Sequence, residues 1–160
     1  MSEIKEFKQQ YDTTVAYEKT EAAWPIGVQR IEKEIKTGIW VTTQWELMGF
    51  ELSPEDDAPD VCLLQLHKDE RTDYRFNLSS QQPKLFLVMD NVDSGIKPVI
   101  QLLTASQSVA GQYMDGDNQV LSYDIPLPVQ AWMEAFIGRH GELLEARRKK
   151  RKGAGRSNGN

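Results

Sequence analysis

The chain has 160 residues and a net charge of −5, with 39% hydrophobic and 27% charged side chains. This composition supports one globular domain and excludes a wholly disordered chain. Its longest uninterrupted apolar run, Leu85–Met89, falls far short of the roughly 20 residues a bilayer-spanning helix needs. Cys62 is the single cysteine, which excludes an intrachain disulfide and a thiolate zinc site. Met1–Asp12 is polar and mixed in charge, unlike the basic and then apolar start of a secretory signal, so a cytoplasmic location is expected.

Charge divides the chain more sharply than any linker. From Arg147 onward there are seven basic residues and no acidic one, which leaves residues 1–146 with 12 of the 19 basic and all 24 acidic side chains. The body therefore carries −12 and the end +7. The run Arg147, Arg148, Lys149, Lys150, Arg151 and Lys152 repels itself and stays solvated unless a partner screens it. Gly153–Asn160 is small and flexible in composition. The division expected is an N-terminal extension over 1–24, partly helical, an α+β domain over 25–146, and a basic flexible tail over 147–160. Three readings of the tail compete: a solvated helix end favoured by the macrodipole, electrostatic contact with an acidic surface, or contact with nucleic acid or anionic lipid. Without interleaved aromatics, and beside an acidic body, base-specific recognition is not expected.

In chain order, Ile4, Phe7 and Tyr11 have the spacing of a short amphipathic helix, and Thr13–Tyr17 leans to β. Pro25–Gly38 reads two ways. Ile26 and Val28 alternate as in a strand, whereas Val28, Ile31 and Ile35 are spaced as in a helix; a strand over Ile26–Lys33 is preferred. Trp40–Met48 carries Val41, Thr43, Trp45 and Leu47 on one strand face. Trp40 and Trp45, five apart, cannot share that face. Two prolines and four carboxylates make 53–60 a loop. Val61–Lys68 and Thr72–Leu78 then read as a hairpin around Asp69-Glu70-Arg71, with Tyr74, Phe76 and Leu78 alternating against Asp73, Arg75 and Asn77. Lys84–Asp90 is a central strand, Asn91–Gly95 a turn, and Val99–Leu103 a further strand. Ser106 can cap a helix running to about Asp115, with Val109, Ala110, Tyr113 and Met114 inward and Gly116 as terminator. Val120–Tyr123 returns as a strand. The strongest helix starts at Pro128 and carries one stripe through Val129, Trp132, Met133, Phe136, Ile137, His140, Leu143 and Leu144 into the basic run. The fold expected is a single α+β domain: a curled antiparallel sheet of five to six strands with a C-terminal amphipathic helix and one or two shorter helices.

No Walker A loop, GxSxG elbow, HExxH or EF-hand pattern occurs. Nothing calls for a cofactor or a metal, and no catalytic residue is assigned. The densest chemical cluster is the 67–77 hairpin, where His67, Asp69, Arg71, Asp73, Arg75 and Asn77 would gather an imidazole, carboxylates and two guanidinium groups around one turn. Arg71 and Arg75 could hold an anion there. A solvated face of cross-strand ion pairs explains the same residues without a function. His140 reads as a packed or boundary residue and Cys62 as an inert core thiol.

Taken together, Trp40–Trp45, Leu64-Gln65-Leu66-His67, Tyr74–Leu78, Gln82-Pro83, Leu85–Met89, Thr104-Ala105-Ser106 and Ile125-Pro126-Leu127-Pro128 with Trp132 and Phe136 resemble the proteobacterial family called domain of unknown function 3305. The likeness spans roughly Pro25 to Lys152. It implies gene clusters with molybdenum- or tungsten-dependent formate dehydrogenases, and so a non-catalytic accessory or maturation protein. Such a protein would bind a dehydrogenase subunit or a companion protein through an apolar sheet edge or exposed aromatics, helped by the basic tail. Two alternatives stand beside it: an enzyme or carrier binding a phosphorylated pterin or nucleotide at the 67–77 hairpin, and non-specific nucleic-acid binding through the tail. The oligomeric state is left open.

Overall fold

Trp24, Ile26 and Val28 are all buried on one side of a long strand, β1 (Ala23–Thr37), which settles the ambiguous stretch as extended from Pro25 to Thr37. The computed structural model describes residues 18–90, 97–114 and 116–141. The expected N-terminal helix, the β-leaning Thr13–Tyr17, the Asn91–Gly95 turn, Leu143, Leu144 and the basic run lie outside the described residues. β1 turns at Gly38-Ile39 into β2 (Trp40–Glu51), with Thr37 opposite Trp40. Gly38 has φ 64° and Ile39 no positive φ, as a two-residue type II′ turn requires of its first position. On its other side β1 pairs, only over 23–27, with β3 (Val61–Gln65).

One bulge governs the inward face of β2. Gln29 lies opposite Gly49 and Arg30 opposite Leu47, so Met48 is an extra residue. Because side chains alternate with a period of two, the insertion lets Phe50 and Leu47 both face inward, three apart. Gly49 has φ 152°, and a Cβ there would sit 3.0 Å from the Gln29 side-chain oxygen.

The second sheet is β5-β4-β6, with β4 (Lys84–Asp90) central between β5 (Ile100–Thr104) and β6 (Asn118–Asp124). All pairings in both sheets are antiparallel. The fold is α+β, and the six strands of the described residues form two three-stranded sheets rather than one curled sheet. β3 lies beside β5 and β6 beside β2, with no ladder closing either seam among the described residues.

Three helices complete the fold among the described residues. α1 (Arg71–Ser79) follows a 3₁₀ turn at Lys68–Glu70, and it overturns the expected 61–78 hairpin. Tyr74, Phe76 and Leu78 alternate over too few residues to define a strand. The pairs Arg71–Arg75 and Tyr74–Leu78 carry the helical i, i+4 spacing instead. Burial agrees, since Tyr74 and Asn77 are covered while Phe76 is exposed. α2 (Gln107–Gly111) is capped by Ser106 as expected, its hydroxyl accepting from the Val109 N–H at 3.1 Å. It stops short of Asp115 and Gly116, and Met114 is exposed rather than inward. α3 (Leu127–His140) buries Val129, Trp132, Met133, Phe136 and Ile137 in the core and ends at Gly141. Trp132 meets Trp24 edge to face at 5.4 Å, and Tyr74 meets Phe136 at 6.3 Å.

Asn77 ties α1 to the second sheet. Its amide nitrogen donates to the Lys84 carbonyl (2.7 Å) and the Ala105 carbonyl (2.8 Å), and its oxygen accepts from the Lys84 N–H (2.9 Å). Asn77→Ala strands these three backbone groups and is expected to lower the unfolding free energy by about 3 kcal/mol in urea titration. A loss below about 1 kcal/mol would mean that they find other partners.

Candidate functional site

Helix α1 disperses the residues that a hairpin would have gathered. Successive alternate residues on a helix are about 200° apart around the axis, so 71, 73, 75 and 77 no longer share a face. Arg71 donates from Nε to the Lys68 carbonyl (2.7 Å) and from Nη1 to the carbonyls of His140 and Gly141, closing the end of α3. Arg75 forms a two-pronged ion pair with Glu134 of α3, at 2.8 and 3.0 Å. Asp73 accepts from the Ser106 hydroxyl at 2.7 Å, and Asn77 serves the backbone of the second sheet. Asp69 is exposed in the 3₁₀ turn. Arg71 and Arg75, four apart on one helix face, thus both bind α3 or its end, and neither guanidinium is turned to a shared anion site.

His67 is exposed, and its backbone N–H donates to the Tyr74 hydroxyl at 2.8 Å. That hydroxyl donates in turn to Glu70 at 2.7 Å, and burial pushes the phenol up so that it remains protonated. Beside these groups an open cleft of about 90 Å³ lies between β3 and β5, lined by Leu63, Gln65, His67, Glu70, Leu102 and Thr104 among others. Its volume is that of about three waters, well below the roughly 300–1,000 Å³ of small-molecule sites. His140 is half-buried with its ring 4.6 Å from Phe136. Cys62 is buried, which raises its thiol pKa and keeps it protonated. Arg147–Lys152 lies outside the described residues.

The distinctive surface is elsewhere. Beyond Arg30, β1 leaves β3 behind, and β1 and β2 continue as a two-stranded arm, every residue from 31 to 44 being exposed. At roughly 3.3 Å per residue the arm extends some 20–25 Å. Its tip is apolar: Ile39 is 89% exposed, Trp40 71% and Val41 56%. Trp45 is half-buried, so the two tryptophans do lie on opposite faces as their spacing demands. One face carries Ile31, Lys33, Ile35 and Trp40, the other Glu32, Glu34, Lys36 and Val41. A glycine followed by one residue between two β-rich runs is the signal that marks such an arm in a sequence.

A buried guanidinium anchors its base. The Arg30 side chain is only 5% exposed and pairs with Asp60 at 3.0 Å. Arg30 also donates to the Pro98 carbonyl (2.6 Å), and its guanidinium lies 5.4 Å from the centre of the Trp45 ring. Lys97 reaches Asp60 from outside at 3.1 Å, and the Asp60 carbonyl accepts from the Val28 N–H. Burial alone would raise the Asp60 pKa, but hydrogen bonds from Arg30 and Lys97 and their charges outweigh it and hold the carboxyl below its ordinary 3.8. Sequence reasoning placed Asp60 in a solvated loop, because nothing local marks a pairing across thirty residues.

Residues 25–151 match the family described as Protein of unknown function (DUF3305), and the chain belongs to it. No curated protein and no solved structure matches the chain.

Because folding lowers the Asp60 pKa, the pair stabilises the protein above the unfolded value and ceases to do so as pH falls through the folded one. Asp60→Asn is therefore expected to cost about 2–3 kcal/mol at neutral pH, below the range for fully buried pairs because Asp60 keeps some solvent contact. Denaturant titrations from pH 8 to pH 3 should show a constant gap that narrows only below about pH 4. A gap independent of pH would assign the loss to something other than ionisation.

Proposed function

We propose that this protein is a non-catalytic accessory or maturation factor of a formate dehydrogenase system, acting in the cytoplasm by binding a protein partner through the tip of the β1–β2 arm. The observation that carries the binding mode is the exposed Ile39-Trp40-Val41 tip held clear of the core. Tryptophan in such a position is the residue type most enriched among interface anchors, and it loses little conformational freedom on docking. The family likeness supplies the system, because it implies gene clusters with formate dehydrogenases. Arg147–Lys152 adds electrostatic capture, and the opposite charges of body and tail steer the encounter. The phosphorylated-pterin reading loses its support, since Arg71 and Arg75 are committed to α3 and the nearby cleft is small.

Binding of the purified full-length chain to purified formate dehydrogenase subunits tests this directly. Trp40→Ser with Val41→Ser should weaken binding about thirtyfold, as expected for losing one interface anchor. Ending the chain at Ala146 should weaken it at low salt but hardly at high salt, where screening removes the tail's contribution. Equal binding by the wild type and the tip variant, or no binding by either, would overturn the reading. Retention of RNA or DNA by the full chain, abolished at Ala146, would favour nucleic-acid binding through the tail instead.

A further inference from the structure

Among the described residues, the outer edge of β1 along the arm is unpaired. β3 covers β1 only over 23–27, the Val28 N–H bonds to Asp60, and no described residue pairs with the edge from 31 to 37. Across a two-residue turn the closing residues Thr37 and Trp40 form a hydrogen-bonded pair, so residues 31, 33, 35 and 37 direct their amides and carbonyls toward β2. Glu32, Glu34 and Lys36 consequently direct theirs outward, as a template for another strand.

We propose that this edge pairs with the same edge of a second copy, antiparallel and two-fold symmetric about Ile35, giving the four-stranded order β2-β1-β1-β2. The sequence Ile31-Glu32-Lys33-Glu34-Ile35-Lys36-Thr37-Gly38-Ile39 complements itself in that register. Ile35 faces Ile35 of the second copy on the axis. Glu34 faces Lys36, and Lys36 faces Glu34. Lys33 lies opposite Thr37, Glu32 opposite Gly38, and Ile31 beside Ile39. The outward-bonding residues 34 and 36 form the hydrogen-bonded pairs that antiparallel geometry demands, and Ile35 falls at a non-hydrogen-bonded position. Shifting the symmetric register by one residue in either direction places Glu34 on Glu34 or Lys36 on Lys36, and a shift by two in one direction places Lys33 on Lys33 with Glu32 against Glu34. The Ile35 register brings opposite charges together twice, sets no like pair directly opposite, and covers the most exposed apolar side chain of the arm. An isologous two-fold contact of this kind closes on itself and does not propagate.

The paired area is far below the roughly 1,200 Å² of a stable interface, so the dimer is reversible and forms at high protein concentration. The inference does not rest on the accessory-factor reading: the pairing edge belongs to β1 and shares only Ile39 with the tip, whereas Trp40 and Val41 stand on β2.

Sedimentation of the full-length chain over a rising concentration series should show a monomer–dimer equilibrium. Glu34 and Lys36 face Thr43 and Val41 across the hairpin, so exchanging them breaks no ion pair within the arm. Glu34→Lys or Lys36→Glu alone should weaken association about tenfold, and the double exchange should restore it. Under mild oxidation Ile35→Cys should yield a disulfide-linked dimer, because paired Cα atoms at a non-hydrogen-bonded position are about 4.5 Å apart. Lys33→Cys should not. A chain that remains monomeric at about 0.5 mM, far above the range of specific complexes, overturns the proposal. So does a dimer in which Lys33→Cys crosslinks instead, or in which the double exchange fails to restore association.

Discussion

The Arg30 guanidinium, buried at the point where β1 leaves the body, is the constraint on which the rest of the arrangement turns. Over Ala23–Gly27, β1 has strands on both sides and inward apolar side chains; beyond Arg30 its only strand neighbour among the described residues is β2. A buried cation without partners would cost far more than any local packing returns, so its position requires Asp60 and the Pro98 carbonyl to close around it. These contacts draw the 52–60 loop and the chain just before β5 onto one strand. They join the two sheets at an end where no backbone ladder does so.

The other end is held differently, chiefly by side-chain hydrogen bonds to backbone carbonyls and amides. Asn77 satisfies backbone groups at the start of β4 and just after β5, Tyr74 fills the core beneath β3, and Arg71 and Arg75 fasten α1 to α3. Within the chemically dense 67–77 segment, Arg71, Asp73, Arg75 and Asn77 thus spend polar atoms on carbonyls, a carboxylate and a capping serine. Exposed ion pairs of this kind contribute little singly, and Arg75–Glu134 falls in that class, whereas the buried amide of Asn77 is costly to lose. The same residue types can thus look like a site in a sequence and serve as seams in a fold.

Legibility followed the range of the interactions. The strands at 40–51, 84–90, 100–104 and 118–124 and the helix from Leu127 are readable because each carries a β-rich or apolar periodicity over consecutive residues. α1 was misread because Tyr74, Phe76 and Leu78 alternate by accident, and its buried polar residue, Asn77, carries no hydrophobic signal. The length of β1 was underestimated because Lys33–Thr37 buries nothing, so no amphipathic pattern could announce it. Its extension is dictated by the type II′ turn and by pairing to β2. The division of six strands into two sheets is a matter of which edges meet, and that depends on contacts such as Arg30–Asp60 that no local window contains.

An exposed ribbon with isoleucine, tryptophan and valine near its tip would ordinarily invite aggregation. This arm carries its own restraint. Glu32, Lys33, Glu34 and Lys36 interrupt the apolar residues of β1, and Lys33 is already paired to Glu46 across the hairpin at 3.0 Å. Alternating signs along an open edge penalise most registers of strand addition and leave few that are electrostatically neutral. A strand joining this edge must therefore bring a matching charge order, which makes the arm selective where a uniformly apolar edge would be sticky. The bulge at Met48 and Gly49 resets the alternation between body and arm, so that the body keeps both Phe50 and Leu47 inside, three apart on one strand.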